Sequence, residues 1–192
     1  MPTSRVVRFV LWFWFLAAVL AGRQLLLQRI PPPAIQGILF GLTALLLAAY
    51  FKLAPLRTWI DSLDLRHLVL LHLTRFVGVF FLVLYRRGEL PYDFAVPGGI
   101  GDIVVATLAL VLVFAPLSEE KLHRGIFIWN IVGLVDILPV VATAIRLNLA
   151  SPLQMLALTR LPLSLLPTFL VPLIIATHVI LYLRLSRDRQ TA

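Results

Sequence analysis

Residues Leu68–Tyr85 read LVLLHLTRFVGVFFLVLY. The run is long and apolar enough to cross a bilayer as a helix. Yet it carries His72 and Arg75 inside it. A charged side chain at membrane depth costs at least ~2.5–3.5 kcal/mol on insertion scales, so it is kept where it finds a partner or water. Other apolar stretches carry candidate partners: Asp102, Asn130 with Asp136, and His178. The expected fold is all-α, a polytopic transmembrane helix bundle around a small polar centre.

Composition agrees. The chain has 192 residues, 60% of them hydrophobic and 14% charged. Soluble domains are about 45–50% apolar and about 25% charged, so the excess here belongs to a lipid-facing surface. The net charge of +8 is scattered in ones and twos between apolar runs. No basic face is long enough to follow a phosphate backbone, so nucleic acid is not expected as a partner. The lipid bilayer is, with anionic head groups near the basic residues. The absence of cysteine excludes disulfides, Cys-ligated zinc, iron–sulfur clusters and covalently attached haem.

Six spans are expected within a single domain covering residues 1–192: 6–22, 34–51, 68–85, 99–117, 125–147 and 161–185. An alternative for the first is a signal peptide cleaved after Ala21, given Arg5 and Arg8 ahead of it. Pro31-Pro32-Pro33 predicts an extended turn before the second span. Gly37 and Gly41 have the small-xxx-small spacing that suits either close helix packing or a lipid-facing surface. Residues 52–67 predict an amphipathic segment in the interface. Gly88, Pro91, Pro97 and Gly98-Gly99 predict a loop over 86–98.

With six spans both termini lie on one side. That side holds Arg5, Arg8, Lys52, Arg57, Arg66, Lys121, Arg124, Arg184, Arg187 and Arg189; the other holds Arg23, Arg29, Arg86, Arg87, Arg146 and Arg160. The bias favours cytoplasmic termini, and a bacterial inner membrane is the simplest home.

A rise of ~1.5 Å per residue places His72 ~6 Å, Arg75 ~10 Å, Asn130 ~8 Å, Asp136 ~16 Å and His178 ~10 Å from the cytoplasmic face. His72 and Arg75 share a helix face. Arg75 with Asp136 is the first contact expected, completed by Asn130 and His178, with Gly133 letting a neighbour come close. Asp102 is placed apart, in the first turn of its span, where the helix dipole favours a carboxylate. With Asp93 and Glu89 it marks an outer mouth. GGIGD lacks the Lys-Ser/Thr of a phosphate loop and the preceding strand of a dinucleotide site. His72 and His178 are a candidate axial pair for b-type haem. No metal-ligand spacing and no nucleophile motif is present, so no catalytic residue is assigned and an enzyme is not the favoured class. Carbonyls freed by Pro167 and Pro172, near Leu163 and Thr168, are candidates for facing a cavity and binding a cation or water.

Several short motifs stand together: Arg75-x-x-Gly78, Gly88-x-Leu90-Pro91, Phe94-Ala95, Gly99-x-Gly101-Asp102, Trp129-Asn130, Gly133-x-x-Asp136, and Pro167-Thr168-Phe169-Leu170-Val171-Pro172 followed by His178. The combination resembles an uncharacterised family of small bacterial multi-pass membrane proteins over about the last two-thirds of the chain. That resemblance implies an integral inner-membrane protein and carries no activity, substrate or cofactor.

The function expected is small-ligand or proton transport or binding through His72, Arg75, Asn130, Asp136 and His178. The alternatives are a b-type haem or quinone electron carrier, and a structural subunit that joins other membrane subunits or its own copies.

Overall fold

The computed structural model describes residues 2–191, with side chains as far as Arg187. Arg189, counted above on the termini side, lies outside those side chains. The chain opens with α1 (Thr3–Arg23) and a short 3-10 turn at Leu26–Arg29. Next come α2 (Pro32–Lys52), α3 (Ala54–Asp61), α4 (Leu65–Leu70), a 3-10 helix over Leu71–Val77, and α5 (Gly78–Arg86). α6 (Tyr92–Phe114) and α7 (Glu119–Ala150) follow. A 3-10 helix at Pro152–Thr159, a π-helical turn at Leu166–Leu170 and α8 (Val171–Thr191) complete it. No strand occurs among the described residues. Six segments are long and apolar enough to cross a membrane: Thr3–Arg23, Pro32–Lys52, Leu65–Arg86, Tyr92–Phe114, Glu119–Ala150 and Leu166–Arg187.

The helix ends follow local chemistry. Pro31 is extended ahead of α2, and Pro32 and Pro33 occupy its first turn, where missing N–H groups cost nothing. The expected amphipathic segment is broken instead of continuous. α3 ends at Asp61, and Asp64 caps α4 by accepting from the Arg66 backbone N–H at 2.8 Å. α5 ends at Arg86, and two residues on Gly88 turns the chain with a φ of +73°, which is open to glycine. There the Glu89 N–H reaches Leu84 O and the Gly88 N–H reaches Tyr85 O.

Several expected boundaries are corrected. α6 begins at Tyr92, so the loop expected over 86–98 is only its first part. Pro97 sits inside the helix, and Gly98 and Gly99 are buried packing positions rather than a turn. α7 starts at Glu119, with Glu119 and Glu120 favourably placed in its first turn, and runs to Ala150, beyond the expected 125–147. Most of the stretch between the fifth and sixth expected spans is the 3-10 helix at Pro152–Thr159. The last long segment begins at Leu166, not 161.

The chain forms two compact units. One comprises Met1–Leu63 and Leu147–Ala176. In it α1 packs on α3 and on the π-helical turn, which also meets α2. Pro167 and Pro172 remove the N–H groups that would pair with Leu163 O and Thr168 O. Both carbonyls are taken within the protein. The Leu166 N–H reaches Leu163 O at 3.0 Å, and Trp14 Nε1 donates to Thr168 O at 2.8 Å. The expectation that they face a cavity is therefore corrected. Gly37 and Gly41 have no neighbour in packing distance, so close packing there is not seen.

The second unit comprises Asp64–Arg146 and Thr177–Ala192. Its apolar core joins Leu65, Val69, Val105, Ala109, Leu122, Ile126, Trp129, Leu181 and Leu185. Every residue of the expected polar centre lies in this unit.

Candidate functional site: one guanidinium between two carboxylates

From Val69 to Leu84 the buried positions of the third long segment are Val69, His72, Arg75, Gly78, Phe81 and Leu84. The step is three throughout. An α-helix falls about 60° short of a full turn in three residues, whereas a 3-10 helix has three residues per turn. The 3-10 stretch Leu71–Val77 therefore keeps His72, Arg75 and Gly78 in one row.

Arg75 is 1% exposed and binds three acceptors on two helices. Nε donates to Asp102 Oδ1 at 2.6 Å, Nη1 donates to Gly133 O at 3.3 Å, and Nη2 donates to Asp136 Oδ2. The contact expected between Arg75 and Asp136 is present. Asp102 corrects its expected place. Because α6 starts at Tyr92, Asp102 lies ten residues further along, not in a first turn, and its carboxylate joins Arg75. Asp93 stays at the start of α6, about 13 Å away along the axis. It pairs with Arg146 at 3.1 Å on an exposed surface. The outer mouth expected of Asp93 and Asp102 together does not form.

Glycines seat the charged groups. A Cβ on Gly78 would lie 2.5 Å from Gly99 O and 2.8 Å from Asp102 Cβ. α5 and α6 thus touch backbone to backbone beside the ion pair. A Cβ on Gly101 would collide with the Asp136 carboxylate, and one on Gly133 with the His178 ring.

Next to this layer lies a ring layer. Asn130 Nδ2 donates to His178 O at 3.2 Å, which turns Asn130 Oδ1 toward His178 Nδ1 at 2.7 Å. That orientation puts the ring proton on Nδ1, which donates. His72 Nε2 is 3.1 Å from Thr177 Oγ1. The His72 and His178 ring centroids are 4.3 Å apart, and Trp129 lies against both at 4.8 and 5.4 Å. Trp129 Nε1 donates to Val105 O at 2.9 Å. Among the described residues none hydrogen-bonds to His72 Nδ1 or His178 Nε2. Axial imidazoles on one iron stand on opposite faces of a porphyrin, and rings in mutual contact leave no slot for the macrocycle. The arrangement does not fit haem between these two histidines.

Apolar layers lie on both sides of the centre. Leu65, Val69, Leu122, Ile126, Leu181 and Leu185 pack beyond the rings. Phe81 and Phe94 meet at 5.1 Å beyond the ion pairs. Asp136, with its side chain 18% exposed, is the open member of the charged trio; Asp102 is 6% exposed.

Sequence reasoning brought His72, Arg75, Asn130, Asp136 and His178 into one neighbourhood. It named Asp102 as a candidate partner but then placed it apart, foresaw a close approach only at Gly133, and missed Gly78, Gly99 and Gly101 as seats and Trp129 with Thr177 in the ring layer.

The family model for a domain of unknown function (DUF8737) matches residues 32–186. That range holds the whole polar centre and leaves α1 outside it. No curated protein and no solved structure matches the chain. The chain belongs to the family of that domain of unknown function, DUF8737.

Proposed function

We propose that this is a multi-pass protein of a bacterial inner membrane, both termini cytoplasmic, whose Arg75 centre binds a proton or small cation as part of transport. One observation carries the reading: a single buried guanidinium holds two carboxylates. Arginine stays protonated in proteins. With Asp102 and Asp136 both ionised the trio has one negative charge in excess. In a low-dielectric interior an uncompensated charge is costly, and taking up a proton or a cation removes it. Asp136 is the partly open group and so the point of entry. Apolar layers lie beyond the histidines and beyond the ion pairs, which leaves entry at the partly open Asp136 side chain.

The purified protein in lipid tests this by infrared difference spectroscopy across about pH 4 to 9, a range spanning ordinary and raised carboxyl titration. A protonated-carboxyl band that appears with acid and is lost in both Asp102→Asn and Asp136→Asn supports the reading. No such band, with no cation-dependent change either, leaves the trio as a clamp between helices and refutes it. As a clamp the protein would serve as a packing subunit, with other membrane proteins or its own copies as partners.

A further inference from the structure

Leu71–Val77 is a seven-residue 3-10 helix with α-helix on both sides. Such runs rarely exceed three or four residues, and one inside a longer helix often marks a hinge. The residues themselves do not ask for it. LHLTRFV holds neither proline nor glycine, and its leucines and arginine favour an α-helix. The winding is instead imposed by what the segment touches. Arg75 is held by Asp102, Asp136 and Gly133 O, and His72 by Thr177. The 3-10 form sets His72 and Arg75 directly in line toward those neighbours. In an α-helix one of them is turned about 60° away when the other faces inward.

The ionisable groups around the two carboxylates are Arg75 and His72 from the third long segment and His178 from α8. The other charged residues of α6 and α7 lie near the helix ends. The grip on Arg75 therefore depends chiefly on the charge of Asp102 and Asp136. We propose that this charge sets the winding of the third span. With both carboxylates ionised, Arg75 is held and the segment is 3-10. When one carboxylate is neutralised, the grip slackens and Leu71–Val77 relaxes to α-helix, which turns His72 out of line with Arg75. This rests on the reading that the centre takes up a proton or cation, and it adds the mechanical output of that event. Seven residues going from about 2.0 to 1.5 Å of rise shorten the span by ~3.5 Å and re-phase its ends by ~140°.

The chain has no cysteine, so labelling sites can be introduced without removing any. His67 and Arg86 are exposed and flank the segment. Spin labels on His67→Cys and Arg86→Cys, in lipid nanodiscs, report the span's length by pulsed electron resonance. The expected result is a distance shorter by ~3.5 Å at acid pH than at alkaline pH. Asp136→Asn in the same labelled chain should hold the short distance throughout. A constant distance in a protein whose carboxyl band still changes with pH overturns the winding switch and leaves the proton site standing. A constant distance with no carboxyl change overturns both.

Discussion

Arg75 Nε and Asp102 Oδ1 stand 2.6 Å apart beside the point where Gly78 and Gly99 bring two helix backbones into contact. The ion pair and the glycine contact depend on each other. Glycine brings the helices close enough for a short bond, and the bond gives the approach a reason. Both members are almost wholly buried.

Removing the cation should be the most damaging change in the second unit. Arg75→Leu strands two carboxylates, and breaking a buried pair from one side costs about 3–5 kcal/mol. Arg75→Lys should rescue only in part, because an ammonium cannot hold the three acceptors in one plane. Denaturation in mild detergent measures both. Pairing Arg75→Leu with Asp136→Leu should cost less than the two single changes added together; an additive result breaks the link.

Removing one anion should behave differently. Asp136→Asn leaves one positive and one negative charge and preserves shape. Stability at neutral pH should fall by less than about 1 kcal/mol, or rise, because an excess buried charge has gone. A loss as large as that of Arg75→Leu contradicts the charge count.

The seating glycines give a steric test. Gly78→Ala sets a methyl 2.5 Å from a backbone oxygen, which only a helix shift relieves. Overpacking of that kind costs about 1–3 kcal/mol. Gly37→Ala meets open space and should change stability by no more than about 0.5 kcal/mol. Comparing the two melting curves checks the contrast.

In the first unit, Trp14→Phe keeps an aromatic ring and removes the N–H that reaches Thr168 O. Thr168 O is only partly buried, so orphaning it should cost at most about 1–3 kcal/mol. A melting temperature equal to that of the unaltered chain shows that another donor has replaced it.

Six long apolar helices were legible because burial of a continuous run needs no knowledge of neighbours. Arg75 with Asp136 was legible for a similar reason, since depth along two helices can be counted from their ends. Asp102 was not. Its depth depends on where α6 begins, and Pro97 with Gly98-Gly99 reads as a turn in any water-exposed sequence. In an apolar helix the same glycines are contact surface, so the helix starts at Tyr92 and carries Asp102 inward. The 3-10 winding was hidden more deeply. LHLTRFV has ordinary helical residues, and its shape comes from the partners of Arg75 and His72.

The bond from Trp14 to Thr168 O also settles a question of bearing. α1 buries only Ala18 and Gly22 fully, and Phe9, Trp12, Phe13, Leu16 and Leu20 are all exposed. A helix with so little of its surface fully buried has few packing contacts to fix its heading about its own axis. The indole supplies one, because its single N–H must meet a carbonyl that a proline has set free, with Phe169 edge-on 4.8 Å away as a second bearing. One polar atom acts as the compass needle of a whole helix: Phe15 joins Trp14 against Phe169, while Phe9, Trp12 and Phe13 point outward.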